Sequence, residues 1–182
     1  MDLRNRRRLQ AGLIVAIFVL PIVGMLGMTW SGWMPHGRSY GERIRPERDL
    51  AGMPVRLADG KPFTFANREA VWTLVALPGS DCAGHCLRQL DLVNRARISL
   101  GQHAGNLRLL YLGAPPSGVA AKGFEKVWTL ATTPSTTLDD LRTDARDSVS
   151  AVLVTPTGKA LTRYAANFDP AGLRKDLNKV VH

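Results

Sequence analysis

The stretch Asp81-Cys82-Ala83-Gly84-His85-Cys86 holds both cysteines of the chain, four residues apart, with a histidine against the second. Three chemistries use such residues. A structural disulfide is the first. Two cysteines at i and i+4 within one regular helix sit about 6 Å apart, which is marginal for a bond. The bond becomes feasible if Cys82 lies just before a helix and Cys86 in its first turn. The loop it closes is very small, so it would stabilise the fold little. Thiol redox exchange is the second. A cysteine at a helix N-terminus meets N–H donors and a favourable dipole, so Cys82 is expected to have a depressed pKa, which a protonated His85 would depress further. Soft Cu(I) ligation by the two thiolates is the third. A third ligand is then wanted, and the chain has four His. His36 is in the segment before the domain and His182 is the last residue. About fifteen helical residues would carry His103 roughly 22 Å from the pair. His85 is the local candidate.

The elements that must position these residues follow from local pattern. Residues 71–77, VWTLVAL, form a short apolar β-rich run that predicts a buried strand, ended by Pro78-Gly79-Ser80. After DCAGHC, the residues Leu87, Leu90, Val93, Ala96 and Ile98 or Leu100 recur near helical spacing until Gly101. The cysteine pair therefore falls where a strand hands over to a helix, a place that favours anions. MPVRLADGKPFTF alternates about Asp59-Gly60, a hairpin signal. LRLLYL at 107–112 and VSAVLV at 149–154 predict strands, and Pro156-Thr157-Gly158-Lys159 a turn to a return strand over 160–164. Helices are expected over 120–130 and 138–145. Asp169 can cap a last helix with Pro170 at its first position. Strands alternating with helices imply a sheet covered on both faces.

The chain of 182 residues is 45% apolar and carries a net charge of +9, enough for one domain with an appendage. The first ten residues, MDLRNRRRLQ, concentrate part of that charge. No dense basic stripe interleaved with aromatics follows, so a nucleic-acid partner is not expected. Residues 11–30, AGLIVAIFVLPIVGMLGMTW, carry no charge. As a helix they reach about 30 Å, the hydrocarbon thickness of a bilayer. The run is longer than a signal-peptide core and no A-x-A-like site follows it, so an uncleaved anchor is expected. Pro21 is tolerated in such a helix, and Trp30 and Trp33 suit the outer interface. Arg4, Arg6, Arg7 and Arg8 keep the tail in the cytoplasm. The division predicted is a cytoplasmic tail over 1–10, an anchor in the inner (plasma) membrane over 11–30, a Gly-, Pro- and charge-rich linker over 31–50, and an exported, periplasmic domain over 51–182.

A basic tail, one span, a linker and WTLVALPGSDCAGHC on a strand-to-helix turn together resemble the Sco/SenC family, which assists copper-centre assembly in cytochrome c oxidase. VSAVLVTPTGK resembles that family's strand, D-P-x-G turn and return strand. The similarity spans about residues 53–182. It implies an α/β, thioredoxin-like sandwich with a central mixed sheet and flanking helices, here preceded by one N-terminal transmembrane helix. The departures are as informative. Counting back from Pro156-Thr157-Gly158, the family's copper-ligand His falls at about Asp147, and a carboxylate is a hard, poor ligand for Cu(I). The family's Pro inside C-x-x-x-C is missing, and no Pro stands just before Val149, where thioredoxin-type oxidoreductases place a cis proline.

The function expected is thiol–disulfide exchange on a copper-site apoprotein, such as a respiratory oxidase subunit or another copper or thiol protein. Cys82 would attack, Cys86 would resolve and His85 would tune Cys82. Two alternatives stay open: a Cu(I) metallochaperone, copper being the candidate cofactor with Cys82, Cys86 and His85 as ligands, and a non-catalytic assembly or scaffold protein.

Overall fold

The computed structural model describes residues 15, 17–23, 27, 39–116 and 123–181. The chain divides into two compact units, 1–38 and 39–182. In the first, the described residues are helical and expose apolar side chains such as Ile17, Phe18 and Leu20. Among the described residues no helix is long and apolar enough to cross a membrane. The tail expected over 1–10 and most of the anchor expected over 11–30 lie outside the described residues.

The second unit is built on one sheet of eight strands. They are β1 (Glu42–Asp49), β2 (Val55–Leu57), β3 (Pro62–Phe63), β4 (Trp72–Pro78), β5 (Leu107–Leu112), β6 (Thr129–Thr132), β7 (Val149–Val154) and β8 (Lys159–Tyr164). Among the described residues of this unit two α-helices accompany them, α1 (Gly84–Ile98) and α2 (Pro170–Val180). The strand order is β1-β8-β7-β4-β5-β6-β2-β3. β4 runs parallel to β5, and β5 to β6, while the remaining pairs are antiparallel. The sheet is thus mixed, with β4 at its centre between β5 and β7, as its continuous apolar run requires. Its side chains alternate between two cores. Leu74 and Ala76 face one with Leu90, Val93, Leu173 and Leu177 of the helices. Val75 and Leu77 face the other with Leu50, Met53, Phe65, Leu138 and Leu141.

Local signals behave as the sequence indicates. β2 and β3 pair antiparallel about Gly60, at φ +82. The Asp169 carboxylate accepts from the Ala171 and Gly172 amides, with Pro170 opening α2. Gly158 turns β7 into β8 at φ +88, and a Cβ there would lie 2.9 Å from the Ala51 backbone.

Both faces of the sheet are covered: the two described α-helices pack on one, and the other is closed by loops and a 3-10 turn over Asp139–Leu141. Three expectations are corrected. The region read as two further helices supplies single 3-10 turns at Phe124–Lys126 and Asp139–Leu141, with strand β6 between them. Residues 117–122 lie outside the described residues. The linker read over 31–50 contains β1, which pairs with β8. The second unit accordingly begins at Ser39, not near Ala51.

Candidate functional site

The carboxyl ends of β4 and β5 and the N-terminus of α1 meet at one edge of the sheet. Arg142 ties the two strand ends by donating Nη1 to the carbonyls of Pro78 and Leu112, each at 3.1 Å. The Gly79 amide donates to the Ser148 carbonyl at 3.0 Å. A Cβ on Gly79 would lie 2.3 Å from the Ala145 carbonyl oxygen, so only glycine lets the 143–148 loop close against this turn. That loop is held internally by Ser148 Oγ, which donates to the Ala145 carbonyl at 2.7 Å.

Cys82 lies just before α1 and Cys86 in its first turn, and the two are joined in a disulfide with Cα atoms 5.2 Å apart. Cys86 is wholly buried in the core, whereas Cys82 is half-buried. An incoming sulfur therefore reaches Cys82 and not Cys86. The pair has the asymmetry of an attackable sulfur backed by a protected one.

Asp147 is brought to the same place. Its Oδ1 accepts from the Ala83 amide at 2.8 Å and the Cys86 amide at 2.9 Å, and its Oδ2 from the His85 amide at 2.8 Å. Ala83, the residue at the N-cap of α1, offers no side-chain cap, and the first turn has no acid of its own. A carboxylate from the loop before β7 thus satisfies the orphan donors of the helix. The amides of Cys86 and His85 hold the Asp147 carboxyl below the usual carboxylate range. Asp147 sits at φ +47, a left-handed conformation that aspartate tolerates better than most residues. Three of the N–H donors expected to favour a Cys82 thiolate, those of Ala83, His85 and Cys86, are already occupied.

His85 is exposed, and its Nδ1 donates to the Asp147 carbonyl at 3.2 Å, leaving Nε2 toward solvent. His103 lies in the 3-10 segment Gly101–Asn106 beyond the far end of α1, beside Gln102. His36 and His182 lie outside the described residues. The described residues do not fit a three-ligand Cu(I) site: Asp147 is committed to helix amides, both sulfurs are in the disulfide, and no group of three or more His, Cys, Asp or Glu is gathered to hold a metal.

A residue that sequence reasoning missed completes the site. Tyr111, at the end of β5, lines a recess of about 100 Å³ with Pro78, Gly79, Asp81, Cys82 and Pro115. Its side chain is fully buried, and its hydroxyl has no hydrogen-bond partner among the described residues. Burial pushes its pKa up to about 12, with Arg142 opposing and Asp81 adding, so the hydroxyl stays a donor. The sequence signal is a tyrosine next to last in a leucine-rich strand, LRLLYL.

The family profile described as "Transmembrane-like, thioredoxin-like, C-terminal domain" matches residues 72–182, from β4 through α2. The chain belongs to this thioredoxin-like family. Solved structures share the thioredoxin-like fold at low identity. BsSco, a member of the Sco family of cytochrome c oxidase assembly proteins in which a disulfide switch was identified, is 15% identical with a TM-score of 0.52, over 77% of this chain and 97% of that one. ScoI of Arabidopsis thaliana, solved with copper bound, is 16% identical with a TM-score of 0.51, over 78% of this chain and 98% of that one. A Chlorobium tepidum protein assigned as thiol:disulfide interchange protein DsbE is 16% identical with a TM-score of 0.50, over 78% and 97%. No curated protein matches the sequence. Before β7 stand Asp147 and Ser148, and their bonds from the α1 amides and from the Gly79 amide hold that loop against the cysteine turn.

Proposed function

We propose that this thioredoxin-like protein is a membrane-anchored, exported thiol–disulfide exchange factor that reduces a cysteine pair on a copper-site apoprotein of a respiratory oxidase. The observation that carries the reading is the pairing of half-buried Cys82 with fully buried Cys86 in a disulfide at the strand-to-helix turn. In the dithiol form, the Cys82 thiolate attacks one sulfur of the partner's disulfide. The partner's S–S bond breaks, a mixed disulfide forms, and one partner thiolate leaves. The Cys86 thiolate then attacks Cys82 Sγ, expelling the second partner thiolate and closing the Cys82–Cys86 bond. Two electrons pass to the partner, and the chain ends in the oxidised state described above. A second thiol donor outside the membrane must return the dithiol. His85, held by Nδ1 on the Asp147 carbonyl and adjacent in sequence to Cys86, is the side chain assigned to tune the pair.

The oxidase assignment rests on the sequence resemblance to Sco/SenC proteins and on the shared fold. The test is trapping. Cys86→Ser, expressed as the full chain in cells assembling the oxidase, is expected to accumulate a mixed disulfide through Cys82 with a copper-site subunit. Cys82→Ser should give none. Absence of any adduct, or oxidase assembly unaffected by both substitutions, would sink the reading in favour of a scaffold role.

A further inference from the structure

We propose that Asp147 is a positioning residue that sets the direction of exchange: its carboxylate fills the anion seat at the N-terminus of α1 that a reduced cysteine would otherwise use. The inference deepens the reading above and rests on it.

The amides of the second and third residues of a helix are the donors that a local cap ordinarily takes. Here they belong to His85 and Cys86, and Asp147 takes both, together with the Ala83 amide. Two effects follow, and both favour the disulfide. First, the three bonds clamp residues 83–86 in the backbone arrangement that brings Cys82 and Cys86 together. Second, a thiolate formed on reduction finds those donors spent on a resident carboxylate. In strongly oxidising members of the thioredoxin group, the reduced form is the stabilised one. At this site the stabilising donors serve a resident carboxylate, so the dithiol is the higher-energy form and tends to give up its electrons. The carboxylate is a hard, poor donor for Cu(I) and is already committed to the helix amides, so it offers the pair no soft third ligand.

The test is the equilibrium between the full-length chain, in detergent, and dithiothreitol redox buffers, with the oxidised fraction read by thiol alkylation. Asp147→Asn keeps an acceptor oxygen and Asp147→Gly removes the side chain, and both residues accept φ +47. Both substitutions are expected to raise the equilibrium constant for reduction at least tenfold, which is about 30 mV. Asp81→Asn removes the same charge one residue from Cys82 and is expected to change it less than threefold. An unchanged or lowered constant in the Asp147 variants, or an equal rise in Asp81→Asn, overturns the proposal. The wild-type chain supplies a test without any variant. It should stay oxidised in a glutathione buffer that half-reduces protein disulfide isomerase, and its reduction there would overturn the proposal as well. No partner enters these equilibria, so their failure is separate from a failure to trap the mixed disulfide.

Discussion

Tyr111 and Asp147 show how much of the site's chemistry lies in individual side chains that sequence pattern does not mark. Tyr111 stands in a leucine-rich strand, and its ring packs edge-on against Phe124 with centroids 5.2 Å apart, an arrangement any aromatic could supply. The hydroxyl is what an apolar core does not want. A buried donor without a partner costs about 1–3 kcal/mol. Tyr111→Phe is therefore expected to stabilise the protein by about 1 kcal/mol, read as a rise in Tm of about 3 °C. A fall in Tm would mean that the hydroxyl already has a partner. Asp147 invites a different test. A Cu(I) competition titration of the reduced protein against a chromogenic chelator is expected to leave the metal with the chelator, because two sulfurs lack a soft third donor. Asp147→His places a borderline nitrogen donor there and is expected to tighten Cu(I) retention by tenfold or more. Tight, stoichiometric binding by the unmodified protein, lost on mutating either cysteine, would instead make it a copper carrier. The cysteine turn itself was legible from residues 71–86 because a strand, a Gly-bearing turn and a helix follow one another locally. The cap was not, because its donor amides and its acceptor are more than sixty residues apart in sequence.

Among the elements, the same division between local and long-range causes decides what could be read. α2 announces itself through Asp169, Pro170 and its apolar spacing, all within one segment. β1 does not: Glu42–Asp49 reads ERIRPERD, with Ile44 its one buried residue, and becomes a strand only by pairing with β8. β6, sequence TLAT, is too short to reveal its period, and its first two residues fall at the end of the helix expected over 120–130. What fastens the start of the second unit is Asp176 on α2. Its Oδ2 accepts from the Tyr40 amide at 2.7 Å, the Gly41 amide at 3.1 Å and Ser39 Oγ at 3.1 Å. Burial alone would raise the Asp176 pKa, but the Gly41 and Tyr40 amides, Lys179 and Ser39 together bring it below the ordinary carboxylate value. Such a group contributes stability that is fully present above the unfolded pKa of about 4 and is lost as pH falls through the folded value. Asp176→Ala leaves those donors without their acceptor and is expected to cost about 3 kcal/mol at neutral pH. The difference between variant and wild type should shrink in thermal melts taken below about pH 4. A difference that persists unchanged in acid would show that packing, not the carboxylate, secures β1.

For the molecule as a whole, chemistry and placement are assigned to different parts of the chain. Residues 39–182 form a compact unit with both cysteines, Asp147 and Tyr111 inside it. The basic residues Arg4, Arg6, Arg7 and Arg8 and the uncharged run over 11–30 carry the addressing information in the reading proposed here. This division makes a two-part prediction. A polypeptide of residues 39–182 alone should fold and show the same Cys82–Cys86 equilibrium as the full chain, because no residue assigned to the site lies before Ser39. It should nevertheless fail to support assembly of a membrane-embedded partner's copper site. Tethering confines the exchange pair to the membrane surface and so raises the frequency of their encounter over free diffusion. Orientation is checked on the full chain. An alkaline phosphatase fused after His182 is expected to be active and a cytoplasm-dependent reporter silent, and replacing the four arginines with glutamate should weaken that bias. An active cytoplasmic reporter on the native sequence would place the cysteines in a reducing compartment. There a disulfide that resists reduction would have no use, and the assignment of Asp147 would lose its functional setting along with the anchor.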